Sequence, residues 1–263
     1  MPTAKPYNLF NGDCLQLLPQ LEDGSVDMIL CDLPYAVTNP NSEAGQWDSL
    51  LPMKPMWEQF LRIAKQNAAI VLFSQGMFTA QLMMSQPKLW RYNLVWDKCR
   101  SSGFLNANRM PMRRHEDICV FYREMPTYNP QIVRCDDPSK RTHSRGNVLH
   151  KPTNRVYGSH ADVRTSDLEH KYPDSILKFP RPHCTGNHPT EKSVDLCRWL
   201  IRSFTNVGEV ILDATMGSGT TGVGAMLEDR RFVGIEMEHK YFQIAEARIE
   251  KALTTPRQEE FPL

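Results

Sequence analysis

Two stretches of this 263-residue chain combine reactive side chains with a spacing suited to chemistry. The first is Met28-Ile29-Leu30-Cys31-Asp32-Leu33-Pro34-Tyr35, where an apolar run delivers a carboxylate, a proline and an aromatic ring. Proline fixes its own φ, lacks an N–H and pushes the residue before it into an extended conformation. The Asp32 carboxylate and the Leu33 carbonyl are thereby two acceptors side by side, and Tyr35 offers a ring face. Two acceptors with a stacking surface suit the amino group of a nucleobase turned out of its helix. The same residues also suit an ordinary strand end with a capping aspartate.

The second stretch is Val210-Ile211-Leu212-Asp213-Ala214-Thr215-Met216-Gly217-Ser218-Gly219-Thr220-Thr221: a strand, an acid at its end, a glycine turn and a helix start. Ligands of open α/β sheets sit beyond the carboxyl ends of strands, where glycine lets backbone approach them. Here the third glycine, Gly222, follows two threonines, so the dinucleotide fingerprint is absent, as is a Gly-Lys-Ser/Thr phosphate loop. The next apolar run, Phe232-Val233-Gly234-Ile235, ends on Glu236, and an acid so placed can accept from both ribose hydroxyls. Together these features describe an adenosyl cofactor without a pyrophosphate.

Taken together, the two stretches resemble the amino-methylating DNA methyltransferases that use S-adenosylmethionine, in the permuted order where the catalytic motif precedes the cofactor motif. The family's Asp-Pro-Pro-Tyr is matched by Asp32-Leu33-Pro34-Tyr35, and its Asp-Pro-Phe-x-Gly-x-Gly-Thr-Thr loop by residues 213–221. Its His-Pro-Thr-Gln-Lys-Pro motif resembles His188-Pro189-Thr190-Glu191-Lys192-Ser193, and Asn11-Gly12-Asp13-Cys14 also fits. The resemblance implies that Asp32, Leu33, Pro34 and Tyr35 are catalytic. It implies that Asp13, His188, Thr190, Lys192, Asp213, Thr215, Met216, Gly217, Ser218, Gly219, Thr220 and Glu236 bind S-adenosylmethionine. Asp13 suits a helix cap equally well. Three departures stand out. Leu33 replaces a proline whose working group is its carbonyl, Thr215 a phenylalanine beside the cofactor, and Ser193 a proline at a helix start, where serine caps acceptably.

The elements that must position these residues follow from the pattern. Short apolar runs (Tyr7–Phe10, Met28–Cys31, Ile70–Ser74, Asn93–Trp96, Ile118–Tyr122, Val210–Leu212, Phe232–Ile235) alternate with helical segments. The latter are Cys14–Leu21, Lys54–Gln66, Met77–Ser85, Glu191–Ser203, Thr220–Glu228 and Tyr241–Ala252. Strands separated by helices imply parallel crossovers. The expected fold is a Rossmann-like, doubly wound, seven-stranded α/β sheet, circularly permuted. One antiparallel strand is expected, because Arg100–Arg114 lacks an amphipathic period. Residues 1–123 form the catalytic half, 124–187 an inserted target-recognition region, 188–253 the cofactor half and 254–263 a tail.

Net charge is +1, yet Lys98–His183 holds 16 Lys/Arg against 9 Asp/Glu, leaving 15 against 21 elsewhere. Such asymmetry suits a nucleic-acid face or a solvated basic loop region. On the first reading Lys98, Arg109, Arg113, Arg114, Arg141 and Arg145 meet DNA phosphates. Histidine spacing offers no metal site, and no zinc-deaminase pattern appears. No apolar stretch reaches the ~18–20 residues a membrane helix needs. Seven scattered cysteines without a Cys-x-x-Cys pair suit a reduced, cytoplasmic protein, with Cys31 a small core residue.

The implied activity is methyl transfer to adenine N6 in DNA. Cytosine N4 is the nearest rival, and Asp at position 32 tilts towards adenine by resemblance. Methylation of RNA or of protein glutamine, or a non-catalytic DNA-binding relic, are further readings. The basic insert argues against a peptide substrate, and intact Asp32, Pro34, Tyr35 and Glu236 against a relic. A homodimer and a companion restriction enzyme stay open.

Overall fold

The computed structural model describes residues 5–35, 50–134, 170–182 and 191–254. It divides into two compact units, residues 1–129 with 175–257 and residues 130–174 with 258–263. In chain order the elements are β1 (Tyr7–Asn11), α1 (Cys14–Leu17), β2 (Val26–Asp32), α2 (Met53–Ile63), β3 (Ala64–Ser74), α3 (Met77–Ser85), β4 (Trp90–Ser102) and β5 (Arg113–Phe121). There follow β6 (Val133–Arg134), β7 (His170–Lys171), β8 (Ile176–Lys178), α4 (Val194–Phe204), β9 (Val210–Asp213), α5 (Thr220–Leu227), β10 (Arg231–Glu236) and α6 (His239–Thr254).

Eight strands make the large sheet, in the order β1-β10-β9-β2-β3-β5-β4-β8. All neighbours pair in parallel except at β5, which runs antiparallel to both β3 and β4. The expected α/β sheet with one antiparallel strand is therefore observed, with one strand more than expected. The addition is β8, which pairs with Val95–Asp97 of β4 inside the range 124–187. Only Leu177 of its three residues is buried, too little for a hydrophobic signal. In the second unit, β6 and β7 form a two-stranded antiparallel sheet.

Why the central strands read as continuous apolar runs is plain from their burial. Met28 and Leu30 of β2 enter one core with Val71 and Phe73, while Ile29 and Cys31 enter the other with Ile70 and Leu72. A strand buried on both faces needs no polar alternation. The first core is closed by α4, α5 and α6 through Leu200, Ile201, Ala225 and Ile249. The second is closed by α1, α2 and α3 through Cys14, Trp57, Phe60 and Phe78. Helices on both faces of a mostly parallel sheet make the doubly wound arrangement. α2 stops at Ile63 rather than Gln66 because Ala64 turns extended (ψ 135°) and opens β3.

Candidate active site

The chain diverges between β9 and β2: β9, β10 and β1 succeed one another outward on one side, and β2 and β3 on the other. Such a switch point opens a crevice beyond the carboxyl ends of the strands. A cavity of about 790 Å³ lies there, lined by Asp13, Asp32, Gln75, Asp213 and Glu236, each at or just past a strand end.

Its cofactor end is built on β9, β10 and β1. Glu236 is held in place by two backbone donors, Gly217 N–H to Oε2 and Glu238 N–H to Oε1, both at 2.8 Å. Burial raises its pKa above the usual glutamate value, only partly countered by those two bonds. Asp13 caps α1, accepting from Leu15 N–H at 2.9 Å, and also lines the cavity. Gly217 sits at φ 53°, a left-handed turn that glycine adopts without penalty.

Gly12, Asp13, Cys14, Leu15, Glu236, Met237, Glu238 and Tyr241 line this end. Among these described residues three are acidic and none is Lys or Arg. A pyrophosphate would find no cation here, whereas a sulfonium nucleoside meets negative charge and a ribose acceptor. The donor set fits S-adenosylmethionine.

Asp32 anchors the other end. Its Oδ1 accepts from the Tyr35 hydroxyl at 2.5 Å, and its Oδ2 lies 2.8 Å from Lys192 Nζ. Lys192 also stands 3.2 Å from Glu116 Oε2, whose other oxygen accepts from Lys98 Nζ at 3.3 Å. Glu116 Oε2 makes an ion pair with Lys192 but no directed hydrogen bond. Two partly buried carboxylates and two buried ammonium groups thus alternate in a row. Burial, reinforced by Glu116, raises the Asp32 pKa, with Lys192 and the Tyr35 hydroxyl offsetting only part. Burial works against charge on Lys192 and Glu116 too, but the opposite charges beside them win. Lys192 is held above the usual lysine value and Glu116 below the usual glutamate value. The Tyr35 ring packs on Phe78, centroids 5.0 Å apart.

The two motifs are coupled directly. Thr215 Oγ1 donates to the Asp32 carbonyl at 3.0 Å, and Ala214 N–H to Cys31 Sγ at 3.2 Å. Cys31 is fully buried, as expected of a core residue, and burial drives its thiol pKa well up. The threonine that replaces the expected phenylalanine thus ties the cofactor loop to the catalytic strand. Asp213, fully buried, receives Thr215 N–H at 3.1 Å, and burial lifts its pKa to about 7.

Several expected residues are placed differently. Lys98, expected on a DNA phosphate, is 4% exposed and paired with Glu116 in the cavity wall. Lys192, expected at the cofactor, lines the cavity and contacts the Asp32 carboxylate. Gly219, also expected at the cofactor, is absent from the cavity wall. At φ 81°, a Cβ there would come within 2.8 Å of Ala245 Cβ, so its role is close packing against α6. Ser193 occupies the N-cap of α4 but its side chain makes no capping bond.

Leu33, Pro34, Thr215, Met216, Gly217, Ser218 and Thr220 all line the cavity. Arg109, Arg113 and Arg114 are exposed; Arg113 also lines the cavity and donates to Gln75 Oε1, and Arg114 makes two bonds to Asp97. Arg141, Arg145, His188 and Thr190 lie outside the described residues. Sequence reasoning missed Glu116 as a cavity group and Arg248 altogether. Arg248 donates to Ser218 O at 2.5 Å, to Ser218 Oγ at 2.8 Å and to Glu191, bracing the cofactor loop against the segment that carries Lys192. An i,i+4 helical pattern carries no sign of such a contact.

Comparison with known proteins agrees with this geometry. Residues 26–247 match the N6/N4 methyltransferase family, described as DNA methylase. The chain is 26% identical over 269 residues to the type II methyltransferase M2.MboI of Moraxella bovis, covering 93% of this chain and 88% of that protein. It is 24% identical over 258 residues to the DNA adenine methyltransferase YhdJ of Escherichia coli K12, covering 93% and 83%. Among solved structures, the M1.HpyAVI–SAM complex superposes with a TM-score of 0.61 at 21% identity, covering 92% of this chain and 98% of that one. The cytosine-N4-specific PvuII DNA methyltransferase superposes with a TM-score of 0.64 at 14% identity, covering 97% and 88%. With most of its length matched, the chain belongs to the N6/N4 DNA methylase family, the S-adenosylmethionine-dependent methyltransferases of DNA.

Proposed function

We propose that the protein methylates the exocyclic N6 amine of an adenine flipped out of double-stranded DNA. The observation that carries this reading is the single cavity joining the cation-free, acid-lined end at Glu236 to the Asp32–Tyr35 end. S-adenosylmethionine supplies, when bound, a methyl group on a positively charged sulfur. Alignment and proton handling fall to the chain.

An adenine N6 lone pair is delocalised into its ring, so the amine is a weak nucleophile. Asp32 and the Leu33 carbonyl accept its two N–H groups, which favours a pyramidal nitrogen with its lone pair freed. As the N–C bond forms and the S–C bond breaks, the nitrogen becomes cationic and must lose one proton. Asp32, partly buried and with a raised pKa, faces that proton. Lys192 and the Tyr35 hydroxyl fix both carboxylate oxygens in orientation, so little reorganisation is needed during transfer. Tyr35 presents its ring to the flipped base, backed by Phe78.

Asp rather than Ser at position 32 favours adenine over cytosine, by family resemblance. Residues 124–187, most of the basic block, are read as the target-recognition region, with the cytoplasm as the site of action. Digestion of DNA from a host expressing the protein into nucleosides tests the assignment. N6-methyladenine is the expected product; N4-methylcytosine alone would overturn the choice of base.

A further inference from the structure

Where β4 turns back into β5, the chain builds an exposed apolar tip on the rim of the active-site cavity. Gly103, at φ 89°, leads into a short 3-10 turn over Phe104–Asn106. The turn is knit by its own backbone: Asn106 N–H donates to Gly103 O, Ala107 N–H to Phe104 O and Arg109 N–H to Asn106 O, all within 3.0 Å. Gly103, Asn106, Met110 and Pro111 line the cavity, while Phe104 and Leu105 stand clear of it at 80% and 97% exposure. Two large apolar side chains held out on a preformed turn have no partner among the described residues to bury them. Their surroundings are basic, although Arg114 is paired with Asp97. Residues 99–115 carry Arg100, Arg109, Arg113 and Arg114 and no acidic residue.

We propose that this turn is a wedge that enters the DNA base stack, Phe104 and Leu105 filling the space vacated by the target nucleotide. The proposal rests on the reading that the protein works on a base flipped out of double-stranded DNA. Extruding a base leaves a gap flanked by two unstacked neighbours, and apolar wedges inserted between base steps are a general means of holding such a distortion. The arginines supply the charge complementarity that selects a polyanion over an apolar protein partner. Proximity supplies the rest: the residues flanking the wedge are also walls of the cavity that would receive the base. Pulling the base in and plugging the gap are then two faces of one turn.

The test uses the full-length Phe104→Ala/Leu105→Ala double variant. Both positions are solvent-exposed, so the fold survives; unchanged S-adenosylmethionine affinity checks this. Single-turnover methylation is measured on two duplexes carrying the sequence found methylated in the host. One is fully paired, and the other has an abasic site opposite the target. On the paired duplex the variant should lose on the order of ten- to a hundredfold, since a wedge offsets the cost of unpairing. On the abasic duplex, where the target is already unpaired, it should recover to within a few-fold of wild type. The defect should persist at high salt, because an apolar contact releases no counterions. Equal loss on both duplexes, or none on the paired one, would overturn the wedge, as would an unchanged methylation rate accompanied by a change in self-association. If wild-type protein methylates neither duplex, the underlying reading fails and takes the wedge with it. If it methylates both and the variant matches it, only the wedge fails.

Discussion

Lys192 sets its ammonium 2.8 Å from Asp32 Oδ2, so the cation of the 188–193 stretch stands on the acid of the 32–35 stretch. Lys192 is buried and Asp32 half-buried, and Lys192 is shared with Glu116, which is shared in turn with Lys98. A lone carboxylate at this depth would take up a proton rather than stay charged. Lys192 is the group that keeps Asp32 able to accept hydrogen bonds from an amine.

Replacing Lys192 by methionine should therefore push the Asp32 pKa further up, because burial and Glu116 would act without the cation that opposes them. Ionised Asp32 is the working form in this mechanism, so activity rises with pH through its pKa. The acid limb of the single-turnover pH–rate profile should move to higher pH in Lys192→Met and much less in Lys192→Arg. Removing one partner of a buried pair costs about 3–5 kcal/mol, so the variants are compared at low temperature where both stay folded. An acid limb that does not move in Lys192→Met would refute the pairing's functional role.

Tyr35 has two roles that separate cleanly. From the chain alone it reads as a ring face; the structure adds a hydroxyl donating to Asp32 Oδ1 at 2.5 Å. A hydrogen bond to a charged group contributes roughly 1.5–3 kcal/mol. Tyr35→Phe should thus slow methyl transfer roughly ten- to a hundredfold while leaving target-base fluorescence changes intact, with an adenine analogue as reporter. Tyr35→Ala should lose both. Equal activity in wild type and Tyr35→Phe would mean that the hydroxyl does not orient Asp32.

How much was legible beforehand follows from where each contact originates. Asp32, Asp213 and Glu236 announce themselves because each ends a buried apolar strand, a local pattern. The coupling of Lys98, Glu116 and Lys192 to Asp32 does not, because it depends on pairing between β4 and β5, where Trp96 stands opposite Glu116, and on a segment about 160 residues from Asp32. A lysine in a basic block looks like a phosphate ligand until the fold turns it inward. Strand β8 escaped because three residues with a single buried side chain carry no period. Arg248 escaped because the exposed and braced arginines of an amphipathic helix look alike in sequence.

Glu236 should make cofactor binding pH-dependent. Its carboxylate pKa lies above the ordinary glutamate value, chiefly through burial. Protonation removes an acceptor from the ribose hydroxyls and from Gly217 N–H, so affinity should fall as pH drops through that raised range. Calorimetry across mildly acidic pH should show the decline in wild type. Glu236→Gln should bind more weakly at neutral pH, by about 1.5–3 kcal/mol for each charge-assisted bond weakened, and should show a flatter profile. Identical profiles for the two proteins would remove Glu236 from the cofactor contact.

Asp213 carries a prediction about stability rather than catalysis. Its pKa is raised from 3.8 to about 7, mainly because the side chain is buried, with Asp32 adding to the rise. The folded state therefore binds more protons than the unfolded chain between those two values. Under the linkage relation, stability then falls as pH rises through that window and levels off above it. The sign is opposite to that of a salt-bridged aspartate, because here folding disfavours the charge. Asp213→Asn removes the titration while keeping an acceptor for Thr215 N–H, which bonds the carboxylate at 3.1 Å in the native protein. The melting temperature of wild type should decline between about pH 5 and pH 8 more steeply than that of Asp213→Asn, and the two curves should run parallel at higher pH. S-adenosylmethionine affinity should change little, since Asp213 spends its oxygens on the loop rather than on the ligand. A variant whose melting temperature follows wild type across the whole range would show that Asp213 is already ionised in the folded protein, and a large loss of cofactor affinity would show that its carboxylate reaches the ligand.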